Sequence, residues 1–213
     1  LAAILSQLNL SREYYKLPLI KEGQPVFSGS KPPEASRLSV TMDPFIPQMV
    51  CSTPYTSEGM AAEKGEVIRD DIVTCNLINN RYSQYLGLSR TAITGNMIVT
   101  PGTVSHNAFI DREPEHLEII KFSSLLVDAN KLTWSSEIKL GKQYHPDGSI
   151  SLIKGGVVSG KITENLSNFI FSRETAAINS PGSSYDGPVG YRGPAKMLIR
   201  KGVRGAIVRT DTE

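Results

Sequence analysis

Residues Leu132–Ile162 read LTWSSEIKLGKQYHPDGSISLIKGGVVSGKI, and three of their segments carry β-formers at strand length. Trp134–Leu140 and Ser149–Ile153 flank Tyr144-His145-Pro146-Asp147-Gly148, where Asp-Gly supplies the positive φ angles of a tight turn. Lys154-Gly155-Gly156 reads as a second turn and Val157–Ile162 as a third strand, so the stretch predicts an antiparallel meander. Downstream, Thr163–Ile170 reads as a short helix capped by Thr163. A Ser, Gly and Pro-rich loop follows, from beyond Ser172 to Pro194. Met197–Ile199 and Val203–Val208 supply final edge strands.

Upstream, Leu117–Val127 has a mixed pattern that leaves helix and strand open. Leu38, Val40 and Met42 alternate with polar residues as a strand, which Asp43-Pro44 ends. Glu66–Ile68 and Ile72–Leu77, separated by Arg69-Asp70-Asp71, read as a hairpin. Tyr82, Tyr85 and Leu86 mark a short helix stopped by Gly87, and Gly95-Asn96 turns into a strand at Met97–Thr100. Leu1, Ile4, Leu5 and Leu8 lie on one helical face, whereas Ser11–Ser36 loses the apolar period and reads as a long surface loop. The fold class is α+β, a predominantly antiparallel β-sheet or barrel-like domain with a few short helices.

Composition bounds what such a domain does. The chain has 213 residues, 39% hydrophobic and 21% charged, enough to bury a core without staples. No apolar run approaches membrane length, and Leu1–Leu8 lacks the basic leader of a signal peptide. Two cysteines, Cys51 and Cys75, make no disulfide framework, which points to a reducing compartment. The net charge of +2 argues against a dedicated nucleic-acid binder, although six basic residues against Asp211 and Glu213 make Val189–Glu213 a basic tail. The start at Leu1, without a methionine and directly on a helix, suggests one part of a longer protein.

Chemistry is sparse. His106, His116 and His145 form no pair at i, i+3 or i+4 spacing, so no zinc-protease helix is present. Neither GxSxG nor a Walker loop occurs; SPGSS (Ser180–Ser184) and GGVVSGK (Gly155–Lys161) lack the required GK[ST] ending. Cys75 alternates with Val73 and Leu77 and is expected on a buried face, where thiols are inert; Cys51 falls in a loop without a neighbouring histidine.

Taken in order, LSVTMDPFIPQM (Leu38–Met49), YTSEGMAAEKGEVIRDD (Tyr55–Asp71), NNRYSQYLGL (Asn79–Leu88), TAITGNMIVTPG (Thr91–Gly102), LTWSSEIKLGKQY (Leu132–Tyr144) and GGVVSGKITENLSNFIFS (Gly155–Ser172) resemble the C-terminal half of the TldD/PmbA family of peptidases, once described as modulators of DNA gyrase. The resemblance is best over 38–172 and implies one C-terminal-type domain over 1–213, without the family's N-terminal domain. It further implies a cytoplasmic two-subunit peptidase that degrades unfolded peptides. The family's metal-bearing subunit carries HExxxH on a helix before this half and a cysteine near its C-terminus. Here LAAILSQLNL holds no histidine and no cysteine follows Cys75. The chain therefore resembles the metal-free PmbA/TldE-type subunit, or a truncated relative. No metal ligand carries over, and zinc is expected only in a TldD-like partner; a homodimer is the other expected assembly. Thr94, Gly95 and Asn96 form the turn expected nearest a peptide groove, where a substrate adds to a sheet edge; the same residues also suit a plain hairpin turn. Two rival readings are a scaffold or dimerisation module without substrate contact, and a stand-alone hydrolase using Cys51 or a metal held by His106 and His116.

Overall fold

The computed structural model describes residues 1–77, 80–89, 91–182 and 187–209. Asn79, Ser183, Ser184 and the end of the basic tail, 210–213, lie outside the described residues. In chain order the elements are α1 (Ala2–Gln7), α2 (Leu10–Tyr14), β1 (Val40–Asp43), β2 (Gly65–Arg69), β3 (Ile72–Val73), α3 (Asn80–Leu86), β4 (Asn96–Val99), α4 (Asn107–Arg112), β5 (His116–Asp128), β6 (Thr133–Tyr144), β7 (Ile150–Lys161), α5 (Ile162–Asn165), β8 (Phe169–Phe171), β9 (Thr175–Ser180), β10 (Val189–Pro194), β11 (Met197–Ile199) and β12 (Val203–Arg209).

Three open sheets result: six strands in the order β3-β2-β1-β4-β10-β9, four in the order β12-β7-β6-β5, and the β11-β8 ribbon. Among the described residues the pairings between these strands are antiparallel except that of β4 with β10. None of the sheets closes on itself, so the antiparallel-sheet form of the expectation holds and the barrel-like form does not.

The main core lies under the six-stranded sheet. Ile4 and Leu5 of α1 and its C-cap Leu8 pack there with Val40 of β1, Val99 of β4 and Phe169 of β8, as the helical spacing required. Each such fully buried side chain contributes roughly 1.5–3 kcal/mol. The four-stranded sheet has a much smaller core of Ile138, Ile153 and Val158.

Several local readings change. Asn9 caps α2 by accepting from the Ser11 N–H at 2.9 Å, so a helical turn opens the supposed loop. Gly155 and Gly156, at φ 104° and 108°, bend a continuous β7 instead of reversing it; Gly141 pairs with Ile153 on one side and Glu137 with Val157 on the other, in unchanged register. The third strand of the meander is β5, from the ambiguous Leu117–Val127 stretch. Thr163 is not the cap of α5, whose N-cap is Lys161, and the chain is already extended as β8 by Phe169. Much of the expected loop after Ser172 is the β9–β10 pair.

The Asp70-Asp71 turn does form the β2–β3 hairpin, both residues at positive φ. Asp71 then turns inward. Its carboxylate accepts from Lys31 Nζ at 2.6 Å, from Arg37 Nη1 at 3.2 Å and from the Leu38 N–H at 2.9 Å, which fastens the long 17–37 segment to the sheet. Lys31 Nζ also lies 4.4 Å from the Phe169 ring centre.

Candidate functional site: a cleft between two sheets

Thr94, Gly95 and Asn96 sit where β4 begins, in the middle of the six-stranded sheet. Gly95 has φ 109°, and a Cβ there would lie 2.4 Å from the Pro44 nitrogen. Asn96 is fully buried: its Nδ2 donates to the Asp43 carbonyl and to Ser52 Oγ, both at 2.9 Å, while its Oδ1 accepts from the Cys51 N–H at 3.2 Å. Gly190 leaves room for this amide, since a Cβ there would stand 1.9 Å from Asn96 Oδ1. Opposite Gly190, Asn179 of β9 holds the same loop, accepting from the Val50 N–H and donating to the Gln48 carbonyl.

Sheet edges follow from the register. Loop 23–26 covers β3, through Gly23 and Val26 and through a bridge of Pro25 to Ile72. The other edge, β9, is exposed. Ala195 N–H donates to the Glu174 carbonyl, so alternate residues Ala176, Ile178 and Ser180 face β10. Thr175, Ala177 and Asn179 consequently turn their main-chain N–H and C=O groups outward. Just before them the edge is occupied, because Arg173 N–H donates to the Val104 carbonyl and Gly102 N–H to the Ser172 carbonyl.

Beside that point a cavity of about 440 Å³ opens between β5 and the β11 segment, lined by His106, His116, Glu118 and Lys196 among others. Lys196 Nζ bridges the walls, donating to Glu118 Oε1 and lying 2.8 Å from His106 Nε2. An ammonium only donates, so Nε2 is the acceptor and the His106 proton sits on Nδ1. That Nδ1 is buried and has no hydrogen-bond partner. Tyr144 donates to Glu118 Oε2 at 3.1 Å, and its ring stacks on His116 at 4.3 Å between centres. Burial raises the Glu118 pKa, but the Lys196 ammonium and the Tyr144 hydroxyl hold it below its ordinary value. Glu174 accepts from the His106 N–H at 3.0 Å, linking the cavity to the start of β9. Arg200 Nε lies 2.6 Å from Glu113 Oε1, close enough for an ion pair although not aligned as a hydrogen bond.

Ala195, Lys196 and Met197 also line a second, apolar cavity of about 580 Å³, walled by Phe122, Leu125, Val127, Trp134 and Phe171. The fold places His106 and His116 on one cavity, as the stand-alone reading required, but His106 there meets an ammonium. His116 Nδ1 is spent on the Glu113 carbonyl at 2.6 Å, both Glu118 oxygens are engaged, and a metal cation would meet Lys196. Among the described residues no group of three His, Cys, Asp or Glu is placed to hold a metal. The described residues around His106 and His116 therefore do not fit a zinc ion. His145 is apart, its Nε2 2.9 Å from Ser151 Oγ. Cys75 is half-buried, donates to the Glu66 carbonyl at 3.7 Å and has its thiol pKa raised by burial; Cys51 Sγ faces the Pro188 carbonyl at 3.6 Å.

Sequence reasoning missed Glu118, Tyr144 and Lys196. A signal was present: His116 and Glu118 are two apart, which on a strand places them on one face. Only the undecided assignment of Leu117–Val127 hid it.

Open sheets, short helices and an intersheet cleft define an α+β domain with a polar cavity between β5 and the β11 segment. The chain belongs to the PmbA/TldA metallopeptidase C-terminal domain family, whose model matches residues 21–202. Similar solved structures include a candidate modulator of DNA gyrase from Bacteroides thetaiotaomicron (17% identity, TM-score 0.73, covering 97% of this chain and 44% of that one). TldE from Thermococcus kodakarensis is similar at 14% identity and TM-score 0.72, covering 94% of this chain and 46% of that one. A candidate DNA gyrase modulator from Thermotoga maritima gives 15% identity and TM-score 0.69, with the same two shares. This chain spans less than half the length of these proteins. No curated protein matches it. Among the described residues no helix is long and apolar enough to cross a membrane.

Proposed function

We propose that the chain is the C-terminal domain of a cytoplasmic TldD/PmbA-type metallopeptidase system acting on unfolded peptides, and that it is the companion that binds no metal itself. Zinc belongs in this reading to a TldD-like partner subunit, while the present chain holds the substrate. The observation that carries it is the outward edge of β9 in a domain of this family. An extended peptide adds to Thr175, Ala177 and Asn179 through main-chain bonds that ignore its side chains, which suits substrates of varied sequence. Three N–H and three C=O groups, at about 1 kcal/mol net each, hold a peptide only transiently once its ordering is subtracted. Thr94, Gly95 and Asn96 serve here by shaping the sheet beneath that edge.

Photo-crosslinking with an unfolded, C-terminally amidated peptide tests this. Labelling is expected on β9 and is expected to disappear in Ala177→Pro, which lacks the outward N–H. Labelling elsewhere only, or chelator-sensitive turnover by the chain alone, would overturn it.

A scaffold reading has one observation of its own: Ile120, Leu125, Leu126 and Val127 are exposed along the thirteen-residue edge strand β5. It favours a partner surface, for a TldD-like subunit or a second copy, and predicts that no peptide labels the β-sheet at all.

A further inference from the structure

The two cavities that share Lys196 differ in chemistry, and the difference specifies a ligand. On the polar side each Glu118 oxygen already receives a hydrogen bond, and His106 Nε2 receives one from Lys196. A donor remains. Lys196 has three N–H groups and spends two, on Glu118 and His106, which leaves one for a ligand. On the other side of Lys196, Phe122, Leu125, Val127, Trp134 and Phe171 line an apolar space of about 580 Å³, large enough for one or two big side chains.

We propose that this cleft is a subsite for the C-terminal end of a peptide whose last residues are large and apolar: the terminal carboxylate meets Lys196 Nζ beside His106, and the apolar side chains fill the cavity under β5. An ammonium ligand is disfavoured there, since it would bring a second cation beside Lys196. The inference rests on the reading that the substrate is a peptide, and it adds which end of the peptide is recognised and where. Glu174 connects the two places, as it accepts from the His106 N–H and directly precedes the first free residue of β9.

Trp134 is the only tryptophan in the sequence and lines the apolar cavity, so its emission reports occupancy. Purified protein titrated with N-acetyl-Phe-Leu as the free acid is expected to give a saturable change. The C-terminal amide of the same dipeptide is expected to bind about tenfold more weakly, the equivalent of one charge-assisted hydrogen bond. Lys196→Gln, whose side chain is 41% exposed and carries little of the core, is expected to bring acid and amide within about twofold of each other. Leu125→Asp, on the apolar wall, is expected to weaken both. Equal binding of acid and amide to the unaltered protein would overturn the carboxylate assignment. Tighter binding of decanoate than of the peptide acid would make it a fatty-acid site instead, and an unresponsive Trp134 would overturn the subsite altogether. Crosslinking to β9 uses an amidated peptide, so its outcome and this one fail independently.

Discussion

Asp71 shows how one residue can join two distant parts of the chain. It has the positive φ that a tight hairpin requires, and its buried carboxylate gathers Lys31, Arg37 and the Leu38 N–H. Asp71→Ala leaves Lys31, whose side chain is 2% exposed, as an uncompensated buried cation. A loss of about 3–5 kcal/mol is expected in urea denaturation, with Asp71→Asn milder because it keeps the turn and part of the hydrogen bonding. Tyr191 gives the alkaline counterpart. Burial pushes its pKa up to about 12, and its hydroxyl donates to the Pro194 carbonyl at 2.9 Å. A phenol whose folded pKa is raised binds its proton more tightly in the folded state. Its contribution is therefore full below about pH 10 and declines as pH rises towards about 12. Comparing stability at these two ends in the unaltered protein and in Tyr191→Phe should show this alkaline decline reduced in the variant; an unchanged decline would assign it to other groups.

At the scale of elements, the strands were legible where β-formers met a turn with its own chemistry. The Asp147-Gly148 and Asp70-Asp71 turns are such cases, and both hairpins form. Glycine pairs misled because the same positive φ serves a reversal and a bend. Gly155-Gly156 lacks a reversal only because β6 continues alongside on both sides of it, a fact of pairing and not of composition. Gly156→Ala, at φ 108°, is expected to cost about 1–2 kcal/mol in denaturation through backbone strain alone. Asn there should cost less, as it tolerates positive φ better. In β9 and β10, Ser, Gly and Pro sit at an edge and beside Asn96, positions that a half-exposed strand permits and that local propensity reads as loop.

Across the whole molecule the two cores are unequal. Among the described residues seventeen buried ones knit α1, the six-stranded sheet and the β8 segment, against three in the four-stranded sheet. Native-state hydrogen exchange should therefore open β5, β6 and β7 at lower free energy than β1 and β4, and equal protection would contradict the division. Acid should act at both places. The Asp43 carboxylate, hydrogen-bonded to Lys64 at 2.8 Å and by the Phe45 N–H, lies below its ordinary value, and so does Glu118 in the cleft. A depressed carboxylate stabilises fully above the ordinary carboxylate range and loses that contribution as pH falls through its folded value. Lys64→Met is expected to move the acid unfolding midpoint upward.

Alternation, turn residues and the ordered motifs were enough to determine an α+β domain, its antiparallel character and its family, because each depends on residues close together in the chain. The sequence also determined that these residues contain no HExxxH. Tertiary structure alone decided that Asn96 is a buried pin, that β9 is the exposed edge of the six-stranded sheet, and that His106, Glu118, Tyr144 and Lys196 face one another. Those positions are separated by up to 90 residues. No local period encodes such a meeting; it arises when two sheets pack and leave a cleft between them.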